Sequence, residues 1–457
     1  MQRVAMAAAL AGAVAGPCLA ERIVVPPGDG VQAALDRSRP GDVLVLEGEH
    51  RGSIHIERGV TLEGAPGSVL IGDGRGSVIT VSAPDARVRN LIIRGSGRNL
   101  EKMDSGIFVE KSATGAVIES NRIEGNLFGI YLHGAENAVA RGNEIVGIEV
   151  GRVNEAGNGV SVWNAPGAKV LDNDIRFGRD GIFAIASKRN EFSGNRFRDL
   201  RFAVHYMYTD DSTVSRNVST GNTVGYAIMY SHRIKVRGNI SDHDLNHGFL
   251  FNFANGSEIS GNAVRGGLQP AERWASPGLR GKEAREHGLP AEAAPSRHAG
   301  ARSAPEKCVF IYNANKNRFR NNRFEGCEVG VHFTAGSEGN EIVGNAFIRN
   351  RNQVKYVGTR HLDWSKQGRG NFWSDNPAFD LDGDGTADTA YRPNDVVDKV
   401  LWIAPQAKVL VNSPAMLIIR WAQAQFPAVF PGGVIDSHPL MAAPNPWHPG
   451  DEEGVRQ

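Results

Sequence analysis

Cysteine is scarce, with 3 in 457 residues, and aromatics make up only 7% of the chain. So few cysteines exclude a disulfide-dense scaffold, and none of them falls in the close pairs of zinc ribbons. An excess of charge of either sign is missing too: Lys+Arg 51 against Asp+Glu 50 leaves a net charge of +1. A nucleic-acid binder needs a basic stripe, which this balance argues against. Long apolar runs are also lacking. The run from Val4 to Val14 is too short to span a bilayer, and no transmembrane span of its own is expected after residue 20.

That short run has another use. Arg3 supplies a positive start, Val4 to Val14 an Ala-rich apolar core, and Cys18-Leu19-Ala20 a small-residue cleavage site. Residues 1–20 therefore read as a secretory signal. Lipidation at Cys18 is the competing reading, and Pro17 fits it poorly. Export places Cys308 and Cys327 in an oxidising compartment, where a disulfide is the expectation. A thiolate metal site is the alternative.

What is abundant is glycine, with 55 residues, and an asparagine that returns after it. Asn121, Asn143, Asn173, Asn195, Asn217, Asn239, Asn262, Asn322 and Asn345 stand at gaps of 22, 30, 22, 22, 22, 23, 60 and 23. The long gaps read as insertions into a coil of about 22 residues. Upstream of each Asn lies a short segment of alternating character: Ile107/Val109, Ile130/Leu132, Val160/Val162, Val204/Tyr206 and Phe249/Phe251 are its apolar positions. Such alternation marks a strand with one buried face. Units this small bury that face only by stacking, which predicts an all-β, right-handed parallel β-helix over 21–356. The Asn column becomes an internal ladder. Residues 28–40, with Val31, Ala34 and Leu35, read as a capping helix over an open coil end. The Ala-, Pro-, Arg- and His-rich stretch 268–306 reads as an external loop.

The alternation also names the outward residues. Met207 and Met229 are 22 apart and so stack on adjacent coils; His205 shares their face, His232 aligns with Asp210 one coil away, and His133 stands in the same column three coils off. Of 7 Met, Met1 and Met6 belong to the signal, so two of the remaining five share one outward column. Thioether with imidazole is a soft donor set suited to Cu(I). His205, Met207, Met229 and His232 are thus candidate copper ligands. The competing reading is an apolar patch of Met207, Met229, Tyr208 and Tyr230 under a partner. His243 and His247 read as a solvated turn. His438, Met441 and His448 lie in a Pro-rich, flexible tail.

The region 357–457 reads as a C-terminal cap and partner-docking region. Phe372 and Trp373 are expected to cap the last coil. Asp380, Asp382, Asp384, Thr386 and Asp388 reproduce the first part of a calcium loop over 380–391, with Tyr391 where the bidentate Glu would stand. An Asx-turn cluster is the alternative. Ser413 as N-cap and Pro414 after it open a helix through 415–426, free to dock on the coil or on a membrane partner.

With these residues in view, the chain resembles the NosD family, periplasmic proteins of nitrous oxide reductase maturation. HYMYTDDS (205–212) and GNFWSDNPAFDLDGDGTADTAYRP (370–393) carry the resemblance, along with the coil repeat. It implies a periplasmic, non-enzymatic accessory that works with an ABC transporter permease and ATPase. It also implies that copper comes from a lipoprotein chaperone and goes toward nitrous oxide reductase. The alternatives are a polysaccharide lyase, hydrolase or epimerase and a carbohydrate-binding module. For an enzyme, Asp210 and Asp211 with His205 and Tyr208 are the best residues available, but adjacent coils offer no matching acidic column.

Overall fold

The computed structural model describes residues 20–149, 155–267, 306–395, 397–398, 400, 406, 410, 413–426 and 432–444. The chain winds into a right-handed parallel solenoid of about 13 turns. Each coil contributes three strands, and equivalent strands pair in parallel to form sheets of 13, 12 and 13 strands. Strands of the 12-stranded sheet are mostly long, as in Phe202–Met207; those of the other two are mostly three residues, as in Thr213–Ser215 and Val218–Thr220.

Burial follows the alternation. Ile107, Val109, Ile130, Leu132, Val160, Val162, Val204, Tyr206 and Phe251 are fully buried, and Phe249 is 1% exposed. The bend between the two short strands turns on one residue in the left-handed region, immediately before each Asn. Gly occupies it at 142, 194, 238, 261 and 344, whereas Ser120, Asp172, Arg216 and Asn321 adopt it at φ of 53–55°. Gly has no Cβ penalty there, which is why the Asn column usually follows Gly.

The Asn column is a continuous ladder. In a typical rung the backbone N–H and side-chain amide of one Asn donate to Oδ1 of the next, as from Asn195 to Asn217 at 2.9 and 3.0 Å. The side-chain amide also donates to the carbonyl of an earlier coil, from Asn195 to Val170 at 2.8 Å. Both long gaps leave the ladder unbroken: Asn143 donates to Asn173 and Asn262 to Asn322, each at 2.9 Å. The larger insertion therefore leaves the register intact. All of 268–306 except Glu306 lies outside the described residues, as do residues 1–19 of the expected signal.

Both ends are covered. The helix Val31–Arg37 buries Val31, Ala34 and Leu35 over the first coils. At the far end the ladder runs beyond the expected limit at 356, because Asn345 donates to Asn371 at 3.0 Å. Trp373 is buried and stacks on Phe347 at 4.3 Å. The ladder then stops on Asp436, whose Oδ2 accepts from the Asn371 backbone N–H at 2.7 Å and from Trp373 Nε1 at 2.8 Å. Asp436 comes from the tail expected to be flexible. Instead, Gly433–Ile435 pairs in parallel with His361–Asp363, and Leu440 donates to the Asn371 carbonyl at 2.9 Å. Free backbone groups at the solenoid end recruit this segment. Cys308 and Cys327 are disulfide-bonded with Cα atoms 5.6 Å apart, and both are fully buried.

Candidate functional site

The outer face of the 12-stranded sheet carries the residues singled out above. Met207 and Met229 are register partners on adjacent strands. Each closes its strand and is half-buried, as the spacing predicts. The column continues through Ile185 and Trp163 to His133, where the His133 ring stacks on Trp163 at 4.4 Å. His133 is therefore held by an aromatic neighbour three strands from Met207.

Beside the methionines runs an aromatic stack along the edge of the sheet. Tyr208 lies 5.1 Å from Tyr230, and Tyr230 lies 5.1 Å from Phe253. All three adopt positive φ, at 50°, 49° and 51°. Tyr208 and Phe253 are exposed. Coil stacking superimposes equivalent side chains at the strand-to-strand spacing, which brings these rings face to face.

His205 corrects the expectation of an accessible ligand. It points to the outer face yet is 7% exposed. Strand alternation gives its direction but not what covers it: Phe202 and Phe183 lie 4.7 and 5.0 Å from its ring. Its Nδ1 is 3.2 Å from Oδ2 of Asp180. Asp180 has no exposure and is gripped by Arg201 through Nε at 2.8 Å and Nη2 at 2.6 Å. Burial alone would raise its pKa, but hydrogen bonds from His205 and Arg201 hold the carboxyl below its ordinary range. The sequence reading missed Asp180. It occupies no repeated column, since its register partner is Phe202 and the next is Val224.

His232 does align with Asp210. Its backbone N–H donates to Asp210 Oδ1 at 2.7 Å, and its Nδ1 lies 3.2 Å from the same oxygen. Its Nε2 is 3.5 Å from Asn255 Nδ2, so both ring nitrogens face protein partners. Asp211 accepts two hydrogen bonds from Arg233, and Asp210 also faces that guanidinium at 3.9 Å. The carboxylates considered for glycoside chemistry are therefore ion-paired. His243 bonds its own neighbour Asp242 at 2.8 Å. His247 opens the strand His247–Asn252 and lies in no solvated turn, with Nδ1 at 2.6 Å from the Asn246 carbonyl.

In the C-terminal region, carboxylate oxygens of Asp380, Asp382 and Asp384 lie within 4.8 Å of one another. Backbone N–H groups of Gly383 and Gly385 donate to Asp380 at 2.7 and 2.8 Å, and the Gly385 bond leads in lowering its pKa. Asp388 does not join the cluster and accepts from Leu381 N–H at 2.7 Å. The Thr386 N–H donates to Asp384 at 2.7 Å, and its backbone bridges Leu440. His438 bonds Ser365 at 3.2 Å, Met441 is exposed, and His448 lies outside the described residues. The helix forms as Pro414–Gln425, with the Ser413 side chain accepting from Met416 N–H. Met416 is buried, whereas Leu417, Ile418 and Trp421 are 56%, 63% and 63% exposed. No helix among the described residues is long and apolar enough to cross a membrane.

Comparison with known proteins adds independent findings. The family described as "Periplasmic copper-binding protein (NosD)" matches residues 141–378, and "Right handed beta helix region" matches 66–175. A protein of Stutzerimonas stutzeri named "Probable ABC transporter binding protein NosD" is 40% identical over 397 residues, 87% of this chain and 86% of that one. A protein of the same name from Pseudomonas aeruginosa is 39% identical over 444 residues, 96% of this chain and 98% of that one. Among solved structures, the Dettilon tailspike protein aligns with a TM-score of 0.48 at 14% identity, covering 74% of this chain and 68% of that one. From the match across the central coils and from relatives aligned over most of its length, this chain belongs to the NosD family.

Proposed function

We propose that this chain is a non-catalytic periplasmic accessory protein that carries copper for the maturation of nitrous oxide reductase, working with an ABC transporter. The observation that supports it most is the pair Met207 and Met229, in register on the outer face with His205 two residues from Met207 on that face. Thioether sulfur and neutral imidazole suit Cu(I) better than harder cations. His232 is the outlying member of the set, since Asp210 and Asn255 must release it before it binds. Copper would arrive from a lipoprotein chaperone and leave toward the reductase. The C-terminal region 357–457 would face the permease, with Leu417, Ile418 and Trp421 of the exposed helix as its contact. Calcium would sit in the Asp380 loop as a structural ion, held by Asp380, Asp382 and Asp384, with the Thr386 carbonyl as a further ligand.

Metal analysis of the purified mature protein tests the copper reading. Wild type is expected to retain Cu(I) against a competing chelator, and Met207→Ala/Met229→Ala to lose it with an unchanged melting transition. Equal retention by the double variant would refute the assignment of these ligands. Cleavage of a uronan by copper-free protein would replace the reading with the polysaccharide-active alternative.

A further inference from the structure

Asp180 is a carboxylate with no solvent exposure, in a column that continues through Phe202 to Val224. The repeat does not require it. A buried carboxylate is costly unless paired and fully hydrogen-bonded, and here Arg201 supplies two bonds, at 2.8 and 2.6 Å. Arg179 lies further off at 3.8 Å. The remaining contact is with His205 Nδ1, at 3.2 Å. Flanking Phe183 and Phe202 rings fix the plane of that imidazole.

We propose that Asp180 is a positioning residue for His205, fixing its tautomer so that Nε2 presents a lone pair to a soft monovalent cation, Cu(I), beside Met207 and Met229. The inference rests on the copper reading above. An ionised carboxylate only accepts hydrogen bonds, so the ring nitrogen facing it carries the hydrogen. A neutral imidazole has one such hydrogen, which leaves Nε2 as the donor atom toward metal. Carboxylates behind metal-binding imidazoles act in this way, and their loss typically costs 10–100-fold in affinity. Arg201 keeps the carboxylate ionised and immobile. In Asp180→Asn the amide must turn its NH2 toward either Arg201 or His205, so an ionised acceptor no longer holds the ring.

Two measurements separate this inference from the reading beneath it. Long-range 1H–15N imidazole spectra of the copper-free protein are expected to show His205 as the neutral Nδ1–H tautomer, with the signal assigned by its loss in His205→Gln. Asp180→Asn is expected to lose that signature. A wild-type His205 found as the Nε2–H tautomer or as imidazolium overturns the proposal whether or not copper binds. Chelator competition should then show Cu(I) affinity falling about 10–100-fold in Asp180→Asn, with Met207 and Met229 intact. Unchanged affinity with the tautomer lost would also overturn it. Failure of wild type to hold Cu(I), with the Nδ1–H tautomer present, would count against the copper reading and leave the Asp180–His205 assignment standing. A merely structural Asp180 would lower the melting temperature in Asp180→Asn and leave the tautomer as in wild type.

Discussion

Single residues set the chemistry of the solenoid interior, and Asp244 is the clearest case. Its Oδ1 accepts from Asn222 N–H at 2.8 Å and Ser219 Oγ at 2.9 Å, and its Oδ2 contacts Ser241 Oγ at 2.6 Å. Asn126, Asn222 and Asn350 fill the same role elsewhere, each accepting from a backbone N–H of the preceding coil. Burial pushes the Asp244 carboxyl up to about 7 from the usual 3.8. With the folded pKa above the unfolded one, the penalty is absent below about pH 4, grows as pH rises and is complete above about 7. At ~1.4 kcal/mol per pKa unit this is on the order of 4 kcal/mol. Asp244→Asn restores the usual rung residue. Chemical denaturation should find the variant more stable than wild type by about 2–4 kcal/mol at pH 8, with the difference shrinking toward pH 4. A difference independent of pH would show that Asp244 is ionised throughout.

At the scale of elements, the ladder and its stop on Asp436 make a prediction about the cap. Asp436→Ala strands the Asn371 backbone N–H and Trp373 Nε1 in a buried site. The expected cost is about 3–5 kcal/mol, read as loss of the C-terminal segment to limited proteolysis while the central coils persist. Asp436→Asn keeps an acceptor and should lose less. Calcium in the Asp380 loop would tie down the same cap, because Met441 N–H donates to the Gly385 carbonyl at 3.0 Å and Ala387 N–H to the Pro439 carbonyl at 2.8 Å. Removal of calcium should therefore speed cleavage of the cap, and Asp382→Asn/Asp384→Asn should abolish the calcium effect.

The coils, the Asn ladder and the Met207/Met229 register were legible because each repeats at the coil period. Asp180 over His205, Asp244 within the ladder of Asn126 and Asn222, and Asp436 at the end were not. Each occurs once, and each acts on a residue brought close only by winding. The cover on His205 was hidden for the same reason, since Phe183 belongs to another coil. His247 was misread because its turn-like DHDLNHG context masked the strand it opens.

For the whole molecule, the unbroken register across 268–305 predicts that the insertion is dispensable for folding. Replacing it with a short Gly/Ser linker should leave the coil intact. It should raise stability by up to about 2 kcal/mol, since loop closure costs roughly 0.6 kcal/mol per doubling of length. Circular dichroism and thermal melting check this. Loss of the β-helix signal would mean that the inserted residues support the coils on either side.

The carboxylate that completes the ladder lies 65 residues beyond the Asn it receives. A polypeptide delivered head-first can wind coil upon coil as it emerges, but its growing rim stays adhesive until Asp436 arrives. Synthesis halted before that point, or a nick between Asn371 and Asp436, would leave hydrogen-bonding edges bare to a neighbouring molecule. Docking of Asp436 is thus what ends the solenoid's capacity to add another strand.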